Sequence, residues 1–192
     1  MSACLAKPEV LLIFSEIHES KTMKLKMCVS GLQSGADQQG LEEAWLRGIA
    51  TGGVAPLGYK TEAGPRPDLG AKYGVKESYS PSYDVRTEKN VKLAEVTLWF
   101  GNTTSPGYKC TKKWCDAWSR PFIPNPSAEE VYDLAQVYES FNIAGNRLSK
   151  NKGVCKLVTE GFRLIPRPDS CKVCVGPTCS HLDAIKKANE ID

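Results

Sequence analysis

Short apolar segments alternate with longer segments of helical periodicity along residues 24–162. Of all the features of the sequence, this alternation restricts the possible folds most. The clearest apolar segment, residues 96–100, is β-branched and aromatic and is typical of a buried strand. A strand-helix-strand order predicts right-handed crossovers between parallel strands. We therefore expect an α/β fold in which helices cover both faces of a mostly parallel central sheet.

The same pattern predicts where the elements begin and end. Strands are expected at residues 25–29, 49–54, 96–100, 121–123 and 141–145. Helices are expected at residues 36–47, 82–93, 109–118, 127–140 and 155–162. Ser127 and Glu130 form the sequence signature of a capping box, which starts the fourth helix.

Two further expectations concern the first half of the chain. Helical spacing of the apolar residues in the first helix predicts that Glu42 and Glu43 face solvent. Residues 55–75 are rich in glycine and proline, so the sequence predicts a loop there. A loop of that length in a compact domain is typical of a functional or mobile segment.

The composition is ordinary for a soluble globular protein, with 41% hydrophobic and 24% charged residues in 192. A net charge of +3, spread along the chain, does not indicate nucleic-acid binding but is compatible with a small anionic partner. No apolar run approaches the roughly 20 residues of a membrane span, and no export signal is recognisable. We expect a cytoplasmic protein without a membrane partner, whose eight cysteines are reduced or metal-bound.

Residues 30–37 follow the first predicted strand and have the composition of an anion-binding loop. Glycine lets a backbone approach a ligand closely, and the first helical turn offers free N–H groups to an anion. The spacing is not that of a dinucleotide fingerprint. A structural turn in which Asp37 caps the helix is the alternative interpretation; otherwise Asp37 binds a hydroxyl, amine or metal of the ligand. The candidate ligand-binding residues are Ser30, Gly31, Gln33, Ser34, Gly35 and Asp37.

A second loop leaves the most buried strand and enters a helix. Hydroxyls, a glycine and a lysine around a helix N-terminus suit a phosphate, although a polar connection with a solvated lysine is the alternative. Its candidate residues are Ser105, Gly107, Lys109 and Thr111. We expect adjacent parallel strands to bring both loops to one edge of the sheet.

Arg86 and Asn90 form a third candidate element. They lie four residues apart and therefore share a helix face. Arg86 either grips an anion with two hydrogen bonds or fixes a loop carboxylate.

These segments, in this order, resemble a known family. Residues 30–37 (S-G-L-Q-S-G-A-D) resemble the G-G-Q-T-G-A/V-D opening of the putative molybdenum carrier family, and residues 83–91 resemble its Y-x-x-R-T-x-x-N-V. Residues 52–58, 62–65 and 142–147 are similar to its G-G-W-C-P-K-G, E-D-G and N-V-A-G-P-R segments, and residues 105–111 fall on its phosphate loop. The resemblance covers about residues 24–160 and implies a Rossmann-like three-layer sandwich.

The wider Rossmann-like group contains the molybdenum cofactor carrier protein and the lysine-decarboxylase-like phosphoribohydrolases. The two anion loops, with no obvious acid/base pair, favour a non-enzymatic binding or carrier protein for an anionic phosphorylated ligand, either molybdenum cofactor or a nucleotide derivative. A nucleotide phosphoribohydrolase is the alternative, for which Asp37 and Glu88 are the available carboxylates. However, the hydrolase signature P-G-G-x-G-T-x-x-E is absent at residues 105–111, and no glutamate stands at its catalytic position in the helix that follows. Relatives of this kind tend to form dimers or larger oligomers, which implies a homo-oligomer.

Both ends of the chain extend beyond the resemblance. Cys171, Cys174, Cys179 and His181 have donors suited to zinc, with a disulfide or reduced thiols as alternatives. Such a tail also leaves open a regulatory or structural module that binds metal or a partner. Residues 1–23 form either a dispensable extension or an added edge strand through residues 10–14. We therefore divide the chain into residues 1–23, a ligand-binding domain at 24–162 and a cysteine-rich tail at 163–192.

Overall fold

The computed structural model describes residues 23–167. The nine strands of this part are β1 Met27–Val29, β2 Ala50–Gly52, β3 Val54–Ala55, β4 Lys60–Thr61, β5 Gly64–Pro65, β6 Lys76–Glu77, β7 Val96–Phe100, β8 Phe122–Pro124 and β9 Ser140–Gly145. Its six α-helices are α1 Ala36–Leu46, α2 Pro67–Tyr73, α3 Tyr83–Leu93, α4 Pro106–Ala117, α5 Ala128–Val137 and α6 Val154–Phe162. The predicted edge strand at 10–14 and the cysteines and histidine of the tail lie outside the described residues.

Five strands form one parallel sheet in the order β2-β1-β9-β7-β8. The prediction of a mostly parallel α/β fold is confirmed. The loops after β1 and β7 do reach the same edge of this sheet, because the carboxyl ends of parallel strands meet there. The expectation that their strands are adjacent is wrong, since β9 pairs with both and lies between them.

Side chains alternate between the two faces of the sheet. On one face, Leu98, Phe100 and Phe141 are fully buried in a core completed by residues of α1, α5 and α6. Successive strand residues such as Thr97 and Asn142 point to the opposite face, where α3 packs against α4. The sheet is therefore the middle layer of a three-layer sandwich.

Two helices begin at residues whose side chains cap the first turn. The capping box of α5 is present as predicted, with Ser127 accepting from the Glu130 amide and Glu130 accepting from the Ser127 amide. Helix α4 begins three residues before the predicted position. Ser105 caps it by accepting from the Tyr108 amide at 3.2 Å, and Pro106 occupies the first turn, where no N–H is needed.

Residues 55–75 are not a loop, contrary to the prediction. They contain the β4–β5 hairpin and helix α2. Pro67 lies in the first turn of α2, and Gly74 ends the helix with a left-handed φ of 66°. Two of the residues that suggested a loop, Pro67 and Gly74, are thus the boundary residues of a short helix.

The expectation that Glu43 faces solvent is also wrong. Its side chain is 3% exposed and pairs with Arg47 one helical turn later at 2.5 Å. Glu42 lies nearer the surface, where it accepts from Lys72 at 2.8 Å. Among residues 23–167, no helix is long and apolar enough to cross a membrane.

Candidate functional site

A cavity of about 410 Å³ opens at the carboxyl edge of the sheet, above β9 and between α3 and α4. Its volume falls within the range of about 300–1,000 Å³ typical of small-molecule sites. It is lined by the loop after β1, by α3, by β7, by the first turns of α4 and by the end of β9 with the turn that follows. These residues are Gln33, Asp37, Tyr83, Arg86, Thr87, Asn90, Trp99, Ser105, Pro106, Gly107, Cys110, Thr111, Asn142, Ile143, Ala144, Gly145, Asn146, Arg147 and Lys150.

The end of β9 joins the loops around the cavity. The Asn146 carbonyl accepts from the Ala36 amide at 3.2 Å, and its side-chain oxygen accepts from the Asn102 amide at 2.5 Å. Deeper along the strand, Asn142 donates to Thr97 Oγ1 on β7 at 3.1 Å. The strand that separates β1 from β7 therefore ties their loops together.

Asp37 and Arg86 form a buried ion pair on one wall. Arg86 Nη1 donates to Asp37 Oδ2 at 2.8 Å, and the Gln33 amide donates to the same oxygen at 3.2 Å. Burial raises the pKa of Asp37, while the Arg86 charge and these hydrogen bonds oppose the rise. Arg86 thus fixes a loop carboxylate, one of its two predicted roles, and still lines the cavity.

Two more cations, Arg147 and Lys150, stand on the turn after β9. The guanidinium carbon of Arg147 lies 4.7 Å from the centre of the Tyr83 ring, which is within the range of a cation–π contact. The Arg86 guanidinium lies 5.8 Å from the same ring. Within the described part of the chain, three cations and one carboxylate line the cavity.

The start of α4 forms the opposite wall. Gly107 allows the backbone of α4 to lie close to Trp99, since a Cβ at position 107 would be 3.2 Å from the Trp99 ring. The Thr111 hydroxyl also lines the cavity and donates to the Gly107 carbonyl at 3.0 Å. Lys109 is exposed and does not line the cavity.

The remaining predicted residues use their polar groups in contacts within the protein. Ser30 is buried and donates to the Ile143 carbonyl at 2.5 Å, whereas Ser34 turns away to Glu62. Gly35 has a φ of 94°, which disfavours a side chain. Asn90 spends its amide on the backbone of Val54, donating at 3.0 Å and accepting at 2.8 Å.

Comparison with known proteins identifies the family. A model of the circularly permutated YpsA SLOG family matches residues 28–165, which is well over half of the chain. The chain belongs to this family. No functionally curated protein is significantly similar to it in sequence.

A solved structure of similar fold is that of a putative molybdenum carrier protein from Syntrophus aciditrophicus. The two chains are 25% identical and superpose with a TM-score of 0.66, over 74% of this chain and 96% of the other. Together with the circularly permutated YpsA SLOG match, this confirms the resemblance to molybdenum carriers and the Rossmann-like fold.

Several lining residues of this circularly permutated YpsA SLOG chain were missed by the sequence analysis. Asn146 and Arg147 lie in the 142–147 segment, which carried part of the resemblance and could have indicated them. Tyr83 opens the Y-x-x-R-T-x-x-N-V segment in the same way. Cys110 lies in the 105–111 segment, which had been marked for its hydroxyls, glycine and lysine. Lys150 had no motif to mark it, because its approach to the cavity depends on how the turn after β9 is placed.

Acidic and metal-binding groups are sparse around the cavity. Asp37 is the one carboxylate that lines it among residues 23–167, and it is paired with Arg86. Glu88, the other predicted candidate, does not line the cavity and lies 4.0 Å from Lys92. Helix α4 presents Cys110 and Thr111 to the cavity, and no carboxylate of this helix lines it. Across the described stretch, no three His, Cys, Asp or Glu side chains are grouped to hold a metal ion.

Proposed function

We propose that this chain is a binding or carrier protein for a small, phosphorylated, nucleotide-like anion held in the cavity between α3 and α4. The observation that carries this proposal is the charge of the lining. Arg86 already neutralises Asp37, so Arg147 and Lys150 leave the lining with a net positive charge. Neither of the two forms an ion pair with any residue in 23–167.

The rest of the lining fits the two parts of such a ligand. The N-terminal turn of α4 adds a partial positive charge at one wall. Tyr83, Trp99, Pro106 and Ile143 supply apolar and aromatic surface for a planar ring. The phosphate of such a ligand would lie near the cations, and its ring would lie against the apolar wall.

Molybdenum cofactor is one cargo of this chemistry, and the name of the Syntrophus protein favours it. The residues present fit its phosphate through Arg147 and Lys150. They would hold the cargo by ion pairing and hydrogen bonding. A carrier fits this lining better than a hydrolase, because a hydrolase of nucleotides needs a carboxylate free to act on the substrate.

The test is isothermal titration of the full chain with adenosine and guanosine 5′-monophosphates and with the corresponding nucleosides. We expect the phosphorylated compounds to bind and the nucleosides to bind far more weakly. Arg147→Ala and Lys150→Ala should each weaken nucleotide binding about 10- to 100-fold, since a hydrogen bond to a charged group contributes about 1.5–3 kcal/mol.

Lys109→Ala is the matched control, because it removes the same charge from an exposed position outside the cavity. It should leave affinity unchanged. Equal binding of nucleosides and nucleotides, or equal losses in Lys109→Ala and Lys150→Ala, would contradict an anion site at this place.

A further inference from the structure

The β4–β5 hairpin closes over the junction of two cavity loops, and Glu62 lies at its tip. The Glu62 carboxylate accepts a hydrogen bond from Ser34 Oγ, on the loop after β1, at 2.5 Å. It also accepts from the Ser149 hydroxyl, on the turn after β9, with the Ser149 amide at 3.5 Å. One exposed carboxylate therefore bridges two separate loops, and we call this arrangement the Glu62 clasp.

Ser149 lies in the turn between Arg147 and Lys150, two of the cations that line the cavity. The turn around it is closed by the Lys150 amide donating to the Arg147 carbonyl at 3.0 Å. The Leu148 amide donates to the Ser34 carbonyl at 3.2 Å, so the same two loops also meet through the backbone. A change in the position of Ser149 would therefore also move Arg147 and Lys150.

Glu62 itself does not line the cavity. The hydroxyl groups of Ser149 and Ser34 lower the pKa of its carboxyl, so it is ionised near neutral pH and acts as an acceptor only. The hairpin is held in place independently, because Gln33 Nε2 donates to the Lys60 carbonyl at 2.7 Å. The hairpin that carries Glu62 therefore keeps its position without the contacts of the Glu62 carboxylate.

We propose that Glu62 is a positioning residue, which fixes the turn that carries Arg147 and Lys150 and so prepares both cations for the anion. This inference rests on the proposed function. It makes a prediction opposite in sign to plain electrostatics. Removing a carboxylate close to Arg147 would by charge alone strengthen the binding of an anion. Removing the clasp instead frees the turn, and the binding of the anion becomes weaker.

The experiment compares Glu62→Ala, Ser149→Ala and the double variant in full-length protein. Titration with adenosine and guanosine 5′-monophosphates should show a loss of affinity of about tenfold in each, with no further loss in the double variant, because both changes remove the contact between Glu62 and Ser149 that bridges the two loops. Ser149→Thr keeps the hydroxyl and should retain wild-type affinity. Glu77→Ala is the control for charge, since Glu77 is exposed on β6 and accepts from the Gly58 amide instead.

Amide hydrogen exchange gives a readout that needs no ligand. Exchange of residues 148–151 should rise in Glu62→Ala and Ser149→Ala and stay unchanged in Glu77→Ala. Unchanged exchange in that turn, tighter nucleotide binding in Glu62→Ala, or additive losses in the double variant would each overturn the clasp. If wild-type protein binds neither nucleotide, the proposed function fails, and the exchange result still decides whether Glu62 holds the turn.

Discussion

The Arg86 guanidinium occupies the space beside the Gly31 Cα. A Cβ at position 31 would lie 1.3 Å from Arg86 Nη1 and 2.2 Å from its guanidinium carbon. This close approach lets Arg86 reach across from α3 to Asp37 on α1, where the two side chains are 14% and 5% exposed. A glycine in the first loop therefore serves the ion pair and not only the turn.

Gly31→Ala should displace Arg86 and leave Asp37 buried without its partner. We expect the free energy of unfolding to fall by about 3 kcal/mol, the lower end of the cost of breaking a buried ion pair. Urea denaturation measures this. Gly153→Ala is the control, because a Cβ there would meet its nearest atom, Asn151 Oδ1, at an ordinary 3.6 Å. A Gly31→Ala variant as stable as Gly153→Ala would show that Arg86 has another place to go.

The sequence indicated these residues better than their roles. The order of Ser30, Gly31 and Asp37 marked the first loop, and the spacing of Arg86 and Asn90 marked a shared helix face. Whether Arg86 met a ligand or a loop carboxylate depended on a contact between residues 49 positions apart, which local pattern does not encode. The same holds for Asn90, whose partner Val54 is 36 positions away.

Helix α1 is joined to the end of α6 by a buried charge cluster. Arg47 donates to the carbonyls of Phe162 at 2.8 Å and Ile165 at 2.9 Å, besides its pair with Glu43. Glu43 also accepts from the Thr159 hydroxyl at 2.7 Å. The cluster fixes the position of α6 on α1, and through it the layer of helices behind the cavity.

Replacing Arg47 alone would leave the Glu43 carboxylate in the interior with Arg167, 4.0 Å away, as a weaker partner. Arg47→Met should lower the free energy of unfolding by about 3 kcal/mol, the lower end of the cost of breaking a buried ion pair, and the double variant Glu43→Leu/Arg47→Met should recover part of it. Arg163→Met is the control, since its pairs with Glu129 and Glu160 are exposed, and its unfolding midpoint should stay at the wild-type value. Equal midpoints for Arg47→Met and Arg163→Met would contradict a structural role for the cluster.

Prediction from sequence succeeded for elements with a strong local signal and failed elsewhere. Val96–Phe100 was predicted to the residue because five buried apolar or β-branched residues follow one another. Residues 55–75 were misread because their strands have two residues each and α2 has seven, too short for periodicity to appear. Glu43 was misplaced because its burial depends on Arg47 meeting carbonyls more than 100 positions away.

The order of the strands determines how the site is assembled. Because β9 lies between β1 and β7, the last strand among residues 23–167 supplies the centre of the cavity, and its turn supplies two of the three cations. Strand order is a long-range property, so the sequence predicted one shared edge but not which strand stood in the middle. Arg147 and Lys150 gained their importance from that placement.

The central claim is that the cavity holds a phosphorylated anion when the protein is made in a cell. Native mass spectrometry of the full chain as purified tests it most directly, with Arg147→Ala/Lys150→Ala prepared in parallel. We predict that wild-type protein carries a noncovalent, phosphorus-containing adduct and that the double variant has lost it while remaining folded. A wild-type protein of bare polypeptide mass, or an adduct that the double variant retains, would contradict the account.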